Sequence, residues 1–211
     1  MNKQDLIESK RKAILISKEL KKLFPEAKIA LNFKSPWELL VAVILSAQCT
    51  DKKVNEVTAK LFKKYPKFED YLKADAKEFE KDIYQTGFYH AKAKNILASA
   101  KIIKEVHGSK IPKTIEEMIE LPGVARKTAN IVLGVVHGVV VGIPVDTHVK
   151  RLSNLLGLST QNDPVKIEQD LMEIFPKKQW DKISYQLIEY GRKYCPAKKH
   201  DHDNCPLSKI L

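Results

Sequence analysis

Apolar residues recur at helical spacing through most of the chain. Leu6, Ile7, Ile14, Leu15, Leu20, Leu23 and Phe24 mark an amphipathic helix over residues 4–24, which Pro25 ends. Ser35, Pro36 and Glu38 then supply a cap, a proline suited to the first helical position and a capping-box acid. The run that follows, Trp37 to Gln48, is apolar nearly all round and predicts a central helix buried on most sides. Further helices are predicted over 51–64, 76–85, 90–107, 115–120, 124–137, 147–156, 164–175 and 178–193, with Gly87, Gly108 and Gly157 at helix ends. Val139 to Val145 is the one β-like run, and without a hairpin partner it predicts an extended connector. The expected class is all-α.

The pattern is densest between residues 114 and 151. Thr114 and Glu117 have capping-box spacing, and Leu121-Pro122-Gly123 breaks the short helix they open. The next helix carries Lys127 in or near its first turn and stops near Gly138, and Asp146 caps a third. A glycine-bearing turn feeding a helix N-terminus presents backbone N–H groups at the positive end of a dipole, which suits a phosphate. A fainter echo pairs Gly87 and Lys92-Ala93-Lys94-Asn95-Ile96 with Gly123 and Lys127-Thr128-Ala129-Asn130-Ile131, offset by one residue.

Charge points the same way. The 211 residues carry 37 Lys and Arg against 26 Asp and Glu, a net +11, which favours a polyanionic partner and nucleic acid first. Three cysteines make no even disulfide framework, so a reducing cytoplasm is expected, at the nucleoid if the source is bacterial. The start, MNKQDLIESKRK, lacks an apolar signal core, and the run Leu39 to Ala47 is far short of the about 20 residues a bilayer needs. A soluble protein is expected.

LPGVARKTAN followed by VDTH resembles the helix-hairpin-helix element and catalytic aspartate of the endonuclease III family of DNA glycosylases, and LLVAVILSAQCTD (39–51) and TGFYHAKAKNI (86–96) match it too. The resemblance runs from about residue 10 to the C-terminus. It implies a helix-hairpin-helix glycosylase fold with two helical domains flanking a DNA groove: a barrel over 30–140, and a second domain from 1–29 plus 141–211. It also implies a bifunctional glycosylase and AP lyase of base-excision repair. Such an enzyme acts as a monomer on double-stranded DNA that contains damaged bases, here oxidised pyrimidines, or abasic sites.

The resemblance assigns Lys127 as the nucleophile and Asp146 as its carboxylate partner. A lysine amine attacks only when unprotonated. The helix N-terminus, Arg126 and partial burial would oppose the ammonium form, while bound phosphates would favour it. Leu121, Gly123 and Ala125 form the hairpin, whose amides would hold a phosphate with Arg126 and Thr128 alongside. Ala125 stands where the commonest pattern has a second glycine, so the turn there must accept a Cβ. A base inside a duplex must be flipped out to be reached. Gln48 would fill the vacated space, and Phe88, after Gly87, would wedge opposite.

Family members commonly end in four cysteines spaced C-x6-C-x2-C-x5-C around an iron–sulfur cluster. Here Cys195 and Cys205 fill the first and third slots, with His202 and Leu211 in the second and fourth. Four thiolates are the usual requirement of a [4Fe–4S] site, so no cluster and no cofactor is expected. Zinc on Cys195, His200, His202 and Cys205 fits by ligand type. The short His-Asp-His spacing argues against it, and a remnant loop held by packing is expected instead. Two alternatives remain: a monofunctional glycosylase of the same fold, which typically lacks the lysine, and a non-catalytic hairpin protein, which would have lost Lys127 or Asp146.

Overall fold

The computed structural model describes residues 3–210, and no strand occurs among them. Eleven α-helices follow one another among the described residues: α1 (Lys3–Leu23), α2 (Pro36–Leu45), α3 (Asp51–Lys64), α4 (Phe68–Lys73), α5 (Ala76–Ile83), α6 (Tyr89–His107), α7 (Ile115–Ile119), α8 (Arg126–His137), α9 (Thr147–Leu155), α10 (Pro164–Ile174) and α11 (Trp180–Lys193). No described helix is long and apolar enough to cross a membrane. The chain separates into two compact units, Ala30–Val139 and the remainder from either end.

In the first unit α2 is the centre, with Leu39 to Leu45 all buried. Its start follows the sequence: Ser35 is the N-cap, its hydroxyl accepting from Glu38 N at 3.1 Å, and Pro36 sits in the first turn. Helices α3, α6 and α8 pack against it. They bury Val54, Val57 and Leu61 of α3, Ile96, Ala100 and Ile103 of α6, and Ala129, Val132 and Leu133 of α8. An aromatic cluster of Trp37, Tyr65, Phe68, Tyr71 and Phe79, ring centroids 5.1–5.8 Å apart, joins α2 to α4 and α5. Helix α4 is unexpected. It is one and a half turns long, too short for periodicity to show, and it is started by the Asp70 carboxylate, which accepts from Lys67 N at 2.8 Å.

The other unit packs α1, α9, α10 and α11 around Ile16, Leu20, Val149, Leu152, Leu171, Leu187 and Tyr190. Gly191 lets α9 and α11 approach closely, since a Cβ there would lie 2.9 Å from His148 Nδ1 and 3.2 Å from Leu152 Cδ1. The segment from Gly138 to Val145 carries no regular structure, the expected connector. Ser184 Oγ donates to Pro144 O at 2.6 Å and fixes its end to α11.

Most helix boundaries shift by a residue or two, and two of the shifts bear on the site. Helix α2 stops at Leu45 rather than running to Gln48, because Gln48 adopts a left-handed backbone (φ 53°). Helix α8 starts at Arg126, two residues later than the apolar pattern predicts, because Val124 belongs to the turn before it: Val124 N donates to Leu121 O at 3.1 Å.

Candidate active site

The hairpin is built by three local devices. Thr114 and Glu117 form the capping box: Glu117 N donates to Thr114 Oγ1 at 3.2 Å, and the Glu117 carboxylate accepts from Thr114 N at 3.2 Å. The Thr114 hydroxyl, also donating to Glu117, holds that carboxyl below its ordinary value. Gly123 then turns the chain with φ 79°, and a Cβ there would lie 2.9 Å from Cβ of Asn95 on α6. Ser99 of α6 donates its hydroxyl to Pro122 O at 3.0 Å. Sequence reasoning gave neither α6 residue a role: Asn95 lay within the echo and within the matching block 86–96, and Ser99 lay in neither.

Lys127 is the second residue of α8 and is exposed, so the expected partial burial is absent. Ala125, the N-cap, is extended (φ −87°, ψ 169°), a conformation any residue adopts, and its missing glycine therefore costs the turn nothing. Its side chain makes no cap bond, which leaves first-turn N–H groups of α8 without a capping oxygen from that residue. Gly123 and Arg126 are exposed beside Lys127, and Thr128 is half-buried. Leu121 differs from expectation. It is 1% exposed, and its amide donates to Met118 O at 3.2 Å, so it seats the turn in the core and offers neither side chain nor amide to a phosphate.

Gln48 and Phe88 share an unusual property. Both are exposed, and both are non-glycine residues at positive φ, 53° and 49°. Among the described residues only Ser109 joins them. Such backbone costs about 1–2 kcal/mol per residue and concentrates at functional sites. Phe88 is the N-cap of α6, directly after Gly87 (φ 69°). Lys92, one turn into α6, is 5% exposed, and its Nζ donates to both Leu45 O and Thr86 O at 2.8 Å. It thereby ties the turn carrying Gln48 to the turn carrying Phe88. Burial pushes its ammonium below the ordinary lysine value. His90, next to the wedge, pairs its Nδ1 with Glu80 Oε2 at 2.7 Å.

Asp146 lies in the other unit, half-buried, as the N-cap of α9. Its Oδ1 accepts from Val149 N at 2.8 Å, which holds the carboxylate in one rotamer.

The C-terminal donors also differ from expectation. One ligand atom from each of Cys195, His200, His202 and Cys205 lies within 4.8 Å of the others, so this group is able to hold a metal ion. The expectation of a loop without a cofactor therefore stands without support. The short spacing does not prevent convergence, because the two histidines use different nitrogens: His200 faces Cys205 through Nε2, and His202 faces Cys195 through Nδ1. Leu211, in the fourth cysteine slot, lies outside the described residues.

Residues 41–177 match the family described as HhH-GPD superfamily base excision DNA repair protein. The chain is similar to the endonuclease III of Synechocystis sp., 46% identical over 201 residues, covering 95% of this chain and 92% of that one. It is equally similar to the endonuclease III of Bacillus subtilis, 46% over 189 residues, covering 89% and 86%. Among solved structures, a non-covalent endonuclease III–DNA complex superposes with a TM-score of 0.91 at 39% identity, over 96% of this chain and 94% of that one. A trapped endonuclease III–DNA covalent intermediate superposes with a TM-score of 0.90 at 40% identity, over 95% and 94%.

Proposed function

The chain belongs to the HhH-GPD superfamily of base excision DNA repair proteins, and from that membership we propose how it works as an endonuclease III, a DNA glycosylase with AP-lyase activity. Lys127 is the nucleophile. Its neutral amine attacks C1′ of a flipped nucleotide, the glycosidic bond breaks, and the base departs with the bonding electrons. The sugar ring opens to leave a Schiff base on Lys127. Loss of a C2′ proton then expels the 3′ phosphate by β-elimination, and water releases the enzyme. Asp146 stabilises the positive charge that develops on the sugar. The substrates are oxidised pyrimidines in double-stranded DNA, and the protein acts as a monomer, where genomic DNA is.

One observation carries the assignment of Lys127: it is an exposed amine in the first turn of α8, directly after the Gly123 turn. Gly123, Ala125, Arg126 and Thr128 hold a backbone phosphate beside it, which positions the duplex without reading its sequence. Leu121 supports that turn from within. Gln48 fills the gap the flipped base leaves, and Phe88, set out by Gly87, wedges opposite; their strained, exposed backbone supports this. The three cysteines of the chain are one short of the four thiolates that usually hold a [4Fe–4S] cluster, so the residues present do not fit such a cluster.

Borohydride trapping on an abasic duplex tests the nucleophile. The wild type forms a covalent adduct and Lys127→Gln, still folded by circular dichroism, forms none. An adduct of undiminished yield in that variant moves the nucleophile elsewhere.

A further inference from the structure

We propose that Cys195, His200, His202 and Cys205 bind a single structural zinc ion. The donors are two thiols and two imidazoles, the set that with tetrahedral geometry selects zinc. Zn–S of about 2.3 Å and Zn–N of about 2.0 Å place tetrahedral ligand atoms about 3.3–3.8 Å apart. Cys195 Sγ lies 3.7 Å from His202 Nδ1, Cys205 Sγ lies 3.3 Å from His200 Nε2, and all four donors fall within 4.8 Å. The two sulfur–nitrogen separations already match edges of a one-ion tetrahedron, and the remaining ones, none above 4.8 Å, close to it with small side-chain movements.

The same distances argue against iron–sulfur alternatives. The corners of a four-iron cubane hold their ligands further apart than this. In a two-iron centre with two histidines and two cysteines, the imidazoles sit on one iron and the thiolates on the other, which parts nitrogen from sulfur. Here each sulfur rests against a nitrogen.

The surroundings are arranged for a ligand set. Cys195 and Cys205 are 1% and 2% exposed, which shields the sulfurs from solvent. His200 Nδ1 lies 2.8 Å from Lys198 O. A carbonyl only accepts, so that nitrogen carries the proton, and Nε2 presents its lone pair to the site. The Arg151 guanidinium lies 3.6 Å from Cys195 Sγ and donates to Cys195 O, which fixes that residue against α9. On binding, the two thiols release their protons to solvent and zinc sheds its waters, giving a neutral site with no open position. Its work is structural: it closes residues 195–205 against the end of α11, where Cys195 and Cys205 already belong to the core.

Elemental analysis of the untagged full chain tests this, without reference to activity. About one zinc per chain is expected, with neither iron nor acid-labile sulfide, and Cys49→Ala keeps it. Cys205→Ala and His202→Ala each lower zinc content about tenfold or more. Should those variants fail to fold, the wild type decides: stripped by chelator and given Co(II) alone, it develops the visible absorption of a tetrahedral thiolate site, and zinc alone displaces it. Iron with sulfide, zinc kept by the Cys195→Ser/Cys205→Ser pair, or a folded wild type that takes up neither zinc nor cobalt would each overturn the proposal.

Discussion

Lys92 donates to the carbonyl of Leu45, the last residue of α2, across 2.8 Å, and the same Nζ reaches Thr86 O at 2.8 Å. Two acceptors need only two N–H donors, so a neutral amine satisfies them as well as an ammonium. Lys92→Met leaves both carbonyls without this donor, and a loss of about 1–3 kcal/mol is expected. Burial lowers the folded-state value below the ordinary 10.5, so the unfolded chain binds the extra proton between the two. Lys92 therefore makes stability rise with pH through that window. Urea melts from about pH 8 to 10.5 check this: wild type gains on Lys92→Met as pH rises, and parallel curves would reject it.

Asp146 is both a helix cap and the proposed charge stabiliser, and two substitutions separate these roles. Asparagine caps about as well as aspartate, so Asp146→Asn should leave stability within about 0.5 kcal/mol of wild type, while Asp146→Ala loses about 1 kcal/mol. Both should slow base release about a hundredfold, because neither supplies a negative charge. Single-turnover rates on one lesion, set beside thermal melts, make the comparison. Full activity in Asp146→Asn would leave the residue a cap alone.

Gly123 and Gly138 both have positive φ, yet only Gly123 has a neighbour within 4 Å of a would-be Cβ. Gly138→Ala should cost about 1–2 kcal/mol from backbone strain. Gly123→Ala should cost more, since Asn95 Cβ must move, and it should weaken duplex binding several-fold at fixed salt. Equal losses of stability and affinity in the two variants would show that the close packing of α6 on the turn is unimportant.

Gln48 and Phe88 hold left-handed backbone on exposed turns. Replacement by glycine removes about 1–2 kcal/mol of strain and adds about 0.5–1 kcal/mol of chain entropy to be lost on folding. Gln48→Gly and Phe88→Gly should therefore be as stable as wild type or slightly more so. Excision of a paired lesion should fall much further than cleavage at a preformed abasic site. Unimpaired excision in both variants would count against their role in flipping.

The Arg151–Cys195 contact, the Lys92–Leu45 bond and the Gly123–Asn95 approach have one thing in common: each joins residues far apart in the chain. Periodicity and cap chemistry report only on neighbours within a turn or two. Hence the starts of α2, α7 and α9 could be read from Ser35, Thr114 and Asp146, each of which does cap its helix. The six-residue α4, too short for a period, could not be read.

The amino-acid order alone determined an all-helical chain, its turn at Gly123, the placement of Lys127 in the first turn of the helix that follows, and Asp146 as a cap, because propensity, capping and glycine backbone freedom act locally. Tertiary structure decided that Leu121 is core rather than contact, that Lys127 is exposed, that one buried lysine joins the two strained turns, and that four C-terminal donors converge. Those outcomes depend on burial and on distances between separate elements, which sequence spacing does not encode.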